Sequence, residues 1–214
     1  MSIVQKNLAA FDNDDIVEAH LSRSMYTEAN DFLLRSCLHE VENEMGQAVG
    51  LEKLSNYAPV MCAFAILDQM GSTYSDSSKQ PYPDVNASGI KKALYYWAGY
   101  QPNGAETKAL YSFRNGIYHD GSLTNRDNSG QWYIFRYKPG MGSPVALASK
   151  PWDGTAAGLG PSTQTLIDVR ELVALARSVI DSVRGCFLNR RGDFSISKSK
   201  EEILHKYIFW APRK

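Results

Sequence analysis

Residues 59–70, PVMCAFAILDQM, are apolar almost all round, and a helix of that kind has no face to offer water. It must sit centrally, so the remaining chain has to supply elements that cover it on every side. Pro59 suits its first turn, where a missing N–H removes no helical hydrogen bond. The longest apolar run, Ala58 to Leu67, stops at Asp68, well short of the roughly 20 residues that cross a bilayer. The expectation is a core helix and no membrane partner.

A chain of 214 residues buries roughly 70% of the surface its unfolded form exposes, so a single folded unit needs neither disulfides nor a structural metal. Cys37, Cys62 and Cys186 are an odd number without a C-x-x-C pair, which argues against a disulfide framework and against a zinc site. No metal and no cofactor are expected. The first twenty residues reach acidic side chains before any apolar stretch could form the core of a signal peptide, so a cytoplasmic, reducing location is expected. The formal net charge is zero, but residues 1–70 hold 4 Lys/Arg against 11 Asp/Glu and residues 71–214 hold 19 against 12. Such asymmetry either makes a basic face for phosphates or lets the two parts attract each other.

Around the central helix the periodicity predicts further helices. Apolar positions recur at threes and fours from Met25 to Val49, giving a long amphipathic helix, with a shorter one over 10–22. Residues 71–86 read as an exposed loop rich in Ser, Pro and Asp. Ser88 caps a helix to about Tyr100, and Asn103 with Glu106 resembles a capping box that opens a helix to about His119, stopped at Asp120-Gly121. Trp132 to Tyr137 and Val145 to Ala148 are β-formers around a Gly/Pro-rich turn, a β-hairpin inserted at about 131–149. The Gly-rich stretch 154–160 lacks the G-K-[ST] ending of a phosphate loop and reads as a connector to a long helix from about Ser162 to Phe187. Residues 184–214 form a basic C-terminal segment, and Glu201 to Trp210 could close it as a short helix. The fold class expected is mainly α: one helical bundle over residues 1–214 carrying an inserted β-hairpin.

Most candidate motifs dissolve against this background. His39 to Glu44, HEVENE, has no second histidine at helical spacing and reads as a solvated acidic face. There is no G-x-S-x-G elbow. What remains is FRNGIYHDG, residues 113–121, which gathers Arg114, Asn115 and His119 at the end of a helix. Asn115 and His119 are four apart and share a face, so the amide can orient the imidazole. Arg114 is five residues before His119, about 140° round and about 7.5 Å along an α-helix. The pair meets only if the guanidinium reaches along the helix or across to another chain.

This segment resembles the R-N-x-x-x-H signature of HEPN domains, helical bundles that include many metal-independent endoribonucleases of toxin and antiviral systems. Arg114, Asn115 and His119 match it, and a helix end is the family's setting for the motif. The resemblance implies RNA transesterification without a metal: His119 as general base toward the ribose 2′-hydroxyl or as acid toward the leaving oxygen, and Arg114 bracing the phosphate. Asn115 would hold His119 or touch phosphate. It also implies a homodimer, with an antitoxin protein as a possible class of partner. RNA would be guided by the tail cations Arg184, Arg190, Arg191, Lys198 and Lys200, with Tyr118 available for base stacking. The competing reading is a non-catalytic helical interaction or binding module of the same shape.

Overall fold

The structure, a computed structural model, describes residues 6–24, 26–51, 56–189 and 193–212. In chain order its elements are α1 (Asn13–His20), β1 (Thr27–Glu28), β2 (Phe32–Ser36), α2 (Cys37–Val49), α3 (Tyr57–Thr73), β3 (Tyr74–Asp76), α4 (Gly89–Ala98), α5 (Ala105–Asn115), β4 (Thr124–Arg126), β5 (Trp132–Tyr137), β6 (Val145–Ala146), β7 (Gln164–Ile167), α6 (Val169–Leu188), β8 (Phe194–Ile196), α7 (Lys200–Tyr207) and β9 (Ile208–Pro212). Helix makes up 49% and strand 17%, the strands forming three sheets. The expected helical bundle is therefore corrected to a mixed α and β fold. No helix among the described residues is long and apolar enough to cross a membrane.

The central position of the apolar helix holds. In α3, Val60, Ala63, Ile66, Leu67 and Met70 have no exposed surface, and α2, α4 and α6 pack around it. Its crossing with α4 is backbone on backbone. A Cβ on Gly71 would lie 1.9 Å from the Gly89 carbonyl oxygen, and a Cβ on Gly89 2.2 Å from that of Asp68. A smaller core of Phe11, Ile16, Leu34, Ile203 and Ile208 closes the other end.

Several expectations about elements fail, the main ones because a segment pairs with a strand far away in the chain. Residues 32–36 were expected to extend the helix that follows. They pair instead antiparallel with β9, Phe32 opposite Pro212 and Ser36 opposite Ile208, and the Ser36 hydroxyl accepts from His39 N–H to begin α2. The inserted β-hairpin is absent. β5 pairs with β4 and, in parallel, with β7, while β6 pairs with the other edge of β7, giving the order β4-β5-β7-β6. The loop between β5 and β6 is tied to β7 and its end: Lys138 N–H donates to Ile167 C=O at 2.9 Å and Met141 N–H to the Asp168 carboxylate at 2.9 Å. The sixth helix consequently starts at Val169, after a strand, and Asp168 caps it by accepting from Arg170 and Glu171 N–H. Burial pushes the Asp168 carboxyl up, but its backbone donors at Met141, Glu171 and Arg170 outweigh this and hold it below the ordinary carboxylate value.

His20 joins the two cores. It is fully buried, its Nδ1 lies 2.7 Å from the Tyr74 hydroxyl, and its ring stacks on Tyr207 at 5.2 Å. Burial pushes the imidazole from its ordinary 6.5 down to about 4. An unfolded chain therefore binds this proton at a higher pH than the folded one, and the contribution of neutral His20 is complete above 6.5 and is lost as pH falls toward 4. The expected outcome in urea denaturation is a stability decline of up to about 3 kcal/mol between about pH 7 and about pH 4. A His20→Gln chain should show a shallower decline over that window, and equal slopes would exclude His20 as its source.

Candidate functional site

The end of α5 explains how Arg114 and His119 come together. The helix continues beyond Asn115 as a single π turn, Gly116–Asp120, and Gly121 then reverses the chain with φ 61°. Ser122 N–H returns to the Gly116 carbonyl at 2.9 Å, so the chain runs back over residue 116 into β4. A Cβ there would be 2.8 Å from the Ser122 oxygen and 3.2 Å from that of Thr124. Only glycine permits that approach. A π turn, with its i to i+5 bonds, is wider than an α turn and so changes the angle between Arg114, in the last α turn, and His119, within the π turn. Arg114 Nη1 lies 3.2 Å from His119 Nε2 and 3.1 Å from Asn115 Oδ1 within one chain.

Chemistry fixes the direction of these bonds. Arginine has no acceptor, so Nε2 must offer its lone pair, which puts the ring proton of His119 on Nδ1. The guanidinium also lies over the Tyr118 ring, 4.7 Å from its centroid. The Tyr118 hydroxyl in turn donates to the Met61 carbonyl of α3. Burial pushes the Tyr118 phenol up to about 12, against the pull of Arg114, so it stays protonated. Tyr118 is thus a fixed platform under Arg114, with one ring face and its hydroxyl already in use. The Arg114 Nε is buried and without a hydrogen-bond partner.

Asn115 and His119 open into a cleft of about 370 Å³ that Lys91, Lys108, Tyr111 and Arg126 also line. Lys108, Tyr111, Asn115 and His119 follow one another at intervals of three and four and form a single stripe. Lys91 comes from α4, its ammonium 4.4 Å from the centre of the Tyr111 ring. Arg126 comes from β4. None of Lys91, Lys108 and Arg126 belongs to an ion pair among the described residues. The opposing Asp127 is turned into the loop structure, where it accepts from Ser129 N–H at 2.9 Å and Gln131 N–H at 2.9 Å. Three cations and the two carboxylates of Asp120 and Asp127 surround the histidine, a net positive lining that suits an anionic ligand.

The tail cations lie elsewhere. Arg184 is 6% exposed, donates to the Leu21 carbonyl at 2.8 Å and pairs with Glu42 at 3.3 Å, so it fastens α6 to the N-terminal part. Lys198 pairs with Glu202 at 3.7 Å. Lys200 donates to the Phe11 carbonyl at 3.0 Å and lines a separate apolar cavity. Arg190 and Arg191 lie outside the described residues. Sequence reasoning missed Lys91, Lys108 and Arg126; the stripe from Lys108 to His119 was readable by spacing, whereas the other two required knowing what α5 packs against. Among the described residues no group of three or more His, Cys, Asp or Glu side chains could hold a metal ion. Cys37, Cys62 and Cys186 form no disulfide. Comparison with protein-family models, curated proteins and solved structures gives no match.

The Gly116→Ala chain tests this construction through the sign of its effect. In an ordinary helical position the substitution would stabilise by up to about 1 kcal/mol. Here the new methyl meets backbone oxygens that cannot swing away, and a loss of about 1–3 kcal/mol is expected in urea denaturation. A gain in stability would mean that the returning strand does not cross residue 116 at this distance.

Proposed function

We propose that the chain is a metal-independent endoribonuclease of the HEPN kind, a cytoplasmic homodimer that cleaves RNA by transesterification. The observation that carries this reading is the Arg114–His119 contact of 3.2 Å at the end of α5, in which His119 itself lines a cleft together with Lys91, Lys108 and Arg126 while Arg114 stands behind it. In the reaction Nε2 of His119 takes the proton of a ribose 2′-hydroxyl, the 2′-oxygen bonds to phosphorus, and the bond to the 5′-oxygen breaks. The products are a 2′,3′-cyclic phosphate and a 5′-hydroxyl, the leaving oxygen regaining a proton from an acid in the cleft or from water. Arg114 stabilises the charge on the phosphoryl oxygens through charge-assisted hydrogen bonds. Asn115 orients Arg114.

A second reading has its own support. Arg114 Nη1 is already engaged by Asn115 and His119, and its face by Tyr118. Such a cluster also serves to lock a helix end in a non-catalytic interaction module.

The two separate in one experiment. Purified chain, His119→Ala and Arg114→Ala are incubated with mixed cellular RNA in excess EDTA, and the new ends are analysed. The ribonuclease reading expects 2′,3′-cyclic phosphate ends from the parent, with His119→Ala lowering the rate by about 100-fold or more and Arg114→Ala by a similar factor. Cleavage that survives His119→Ala removes the reading, and no cleavage by the parent transfers it to the interaction module.

A further inference from the structure

A second cavity, of about 300 Å³, adjoins the cleft and shares Lys108 with it. Sites for small ligands run from roughly 300 to 1,000 Å³, so it has room for a single flat group. Its walls are Trp132 and Tyr133 of β5, the start of α5, and residues 147–152, and they carry Lys108 and Lys150 without any acidic side chain. Trp132 and Trp152 meet edge to face, ring centres 5.9 Å apart, in an isolated antiparallel bridge. The Trp152 ring is held in place because its Nε1 donates to the Thr155 carbonyl at 2.9 Å. Trp132 is braced from the Gly154 side, where a Cβ would lie 2.9 Å from its Nε1. On the cleft side Arg126 lies 5.7 Å from the Trp132 ring, and the two residues face each other in the β4–β5 register.

Fixed aromatic rings beside lysines, with no carboxylate, select a ligand that is both flat and anionic. The shared Lys108 and the Arg126–Trp132 pair join the two cavities, with the cleft's three cations and Lys150 along the way against Asp120 and Asp127 in the lining of the cleft. We propose that the second cavity is a nucleobase subsite: Trp152, edge-on to Trp132, stacks an unpaired base of the same RNA strand whose scissile phosphate sits at Arg114 and His119, and Lys108 and Lys150 hold the connecting phosphates. This assignment rests on the ribonuclease reading and gives it a substrate class, single-stranded RNA, because a base locked in a duplex has no free face to stack on a side chain. Aromatic stacking tolerates any base, so the subsite selects unpaired over paired RNA and discriminates little between sequences.

The test is binding of a short fluorescein-labelled single-stranded RNA to the full chain carrying His119→Ala, followed by anisotropy. Adding Trp152→Ala should weaken binding about tenfold or more, the size of one lost base stack, while the salt dependence stays the same because no phosphate contact is removed. An RNA of equal length without bases should bind weakly and should not sense the Trp152 substitution. If Trp152→Ala fails to fold, the comparison is Trp152→Phe with Trp152→Leu, and only the ring-bearing chain should keep most of the affinity. Equal affinity for intact RNA with and without an aromatic residue at 152 overturns the subsite. The two proposals fail separately: cleavage by the parent with binding indifferent to Trp152 removes the subsite alone, whereas Trp152-dependent binding without cleavage keeps it and removes the ribonuclease.

Discussion

Everything that positions the cleft is referred to α3, a helix with no polar face. Val60, Ala63, Ile66, Leu67 and Met70 are all without exposed surface while Met61 on the other side is 43% exposed, so neighbours cover most of the helix, and the hydrophobic gain is largest when they come closest. At Gly71 and Gly89 the approach reaches the limit, backbone against backbone. Any side chain at either position would push α4 outward and with it the short turn through Gly99 and Asn103, both at positive φ, that delivers α5. The place of Lys91 over Tyr111 is thus set by two residues that touch no ligand.

A second close approach converts this frame into chemistry. At Gly116 the chain passes over its own helix end, and the turn widens to the π form as β4 returns alongside. π turns inside helices recur at functional sites because they place side chains where the regular spiral cannot. Here the displaced pair is Arg114 and His119. Of the two ways the spacing left open, along the helix or across to another chain, the contact is made within one chain.

What could be read from the sequence was local. The all-round apolar helix, the stop at Gly121 and the polar end of α5 follow from residues within a turn or two of one another, and each stands where spacing put it. β2, β7 and β9 did not announce themselves, since Phe32 pairs with Pro212 and Gln164 with Ile134, and no local period encodes a partner that far away. Residues 27–28 and 32–36 lie in a helix-like apolar spacing, and tertiary pairing overrode it. Asp168 with Glu171 three residues on was a legible helix start, and reading it would have freed 164–167 to be a strand. Of the site, the motif and the Lys108–His119 stripe lay in one helix; Lys91, Arg126 and Trp152 reach it only through packing.

The zero net charge of the chain says little about the cleft, because most tail cations among the described residues are tied to carboxylates or carbonyls, whereas Lys91, Lys108 and Arg126, the last of which donates to the Gly130 carbonyl, are in no ion pair among those residues. The cleft lining beside His119 therefore carries three cations against the two carboxylates Asp120 and Asp127. In the proposed reaction this matters beyond attraction. Arg114 Nη1 divides its hydrogen bonds between two neutral acceptors, Asn115 Oδ1 and His119 Nε2, and a phosphate oxygen is a stronger acceptor than either because it carries charge. In that proposed reaction a phosphate would compete for Nη1 and release Nε2 from the guanidinium. The lone pair that is to accept the 2′-hydroxyl proton, which faces Arg114 Nη1 at 3.2 Å, would become available as the phosphate takes its place.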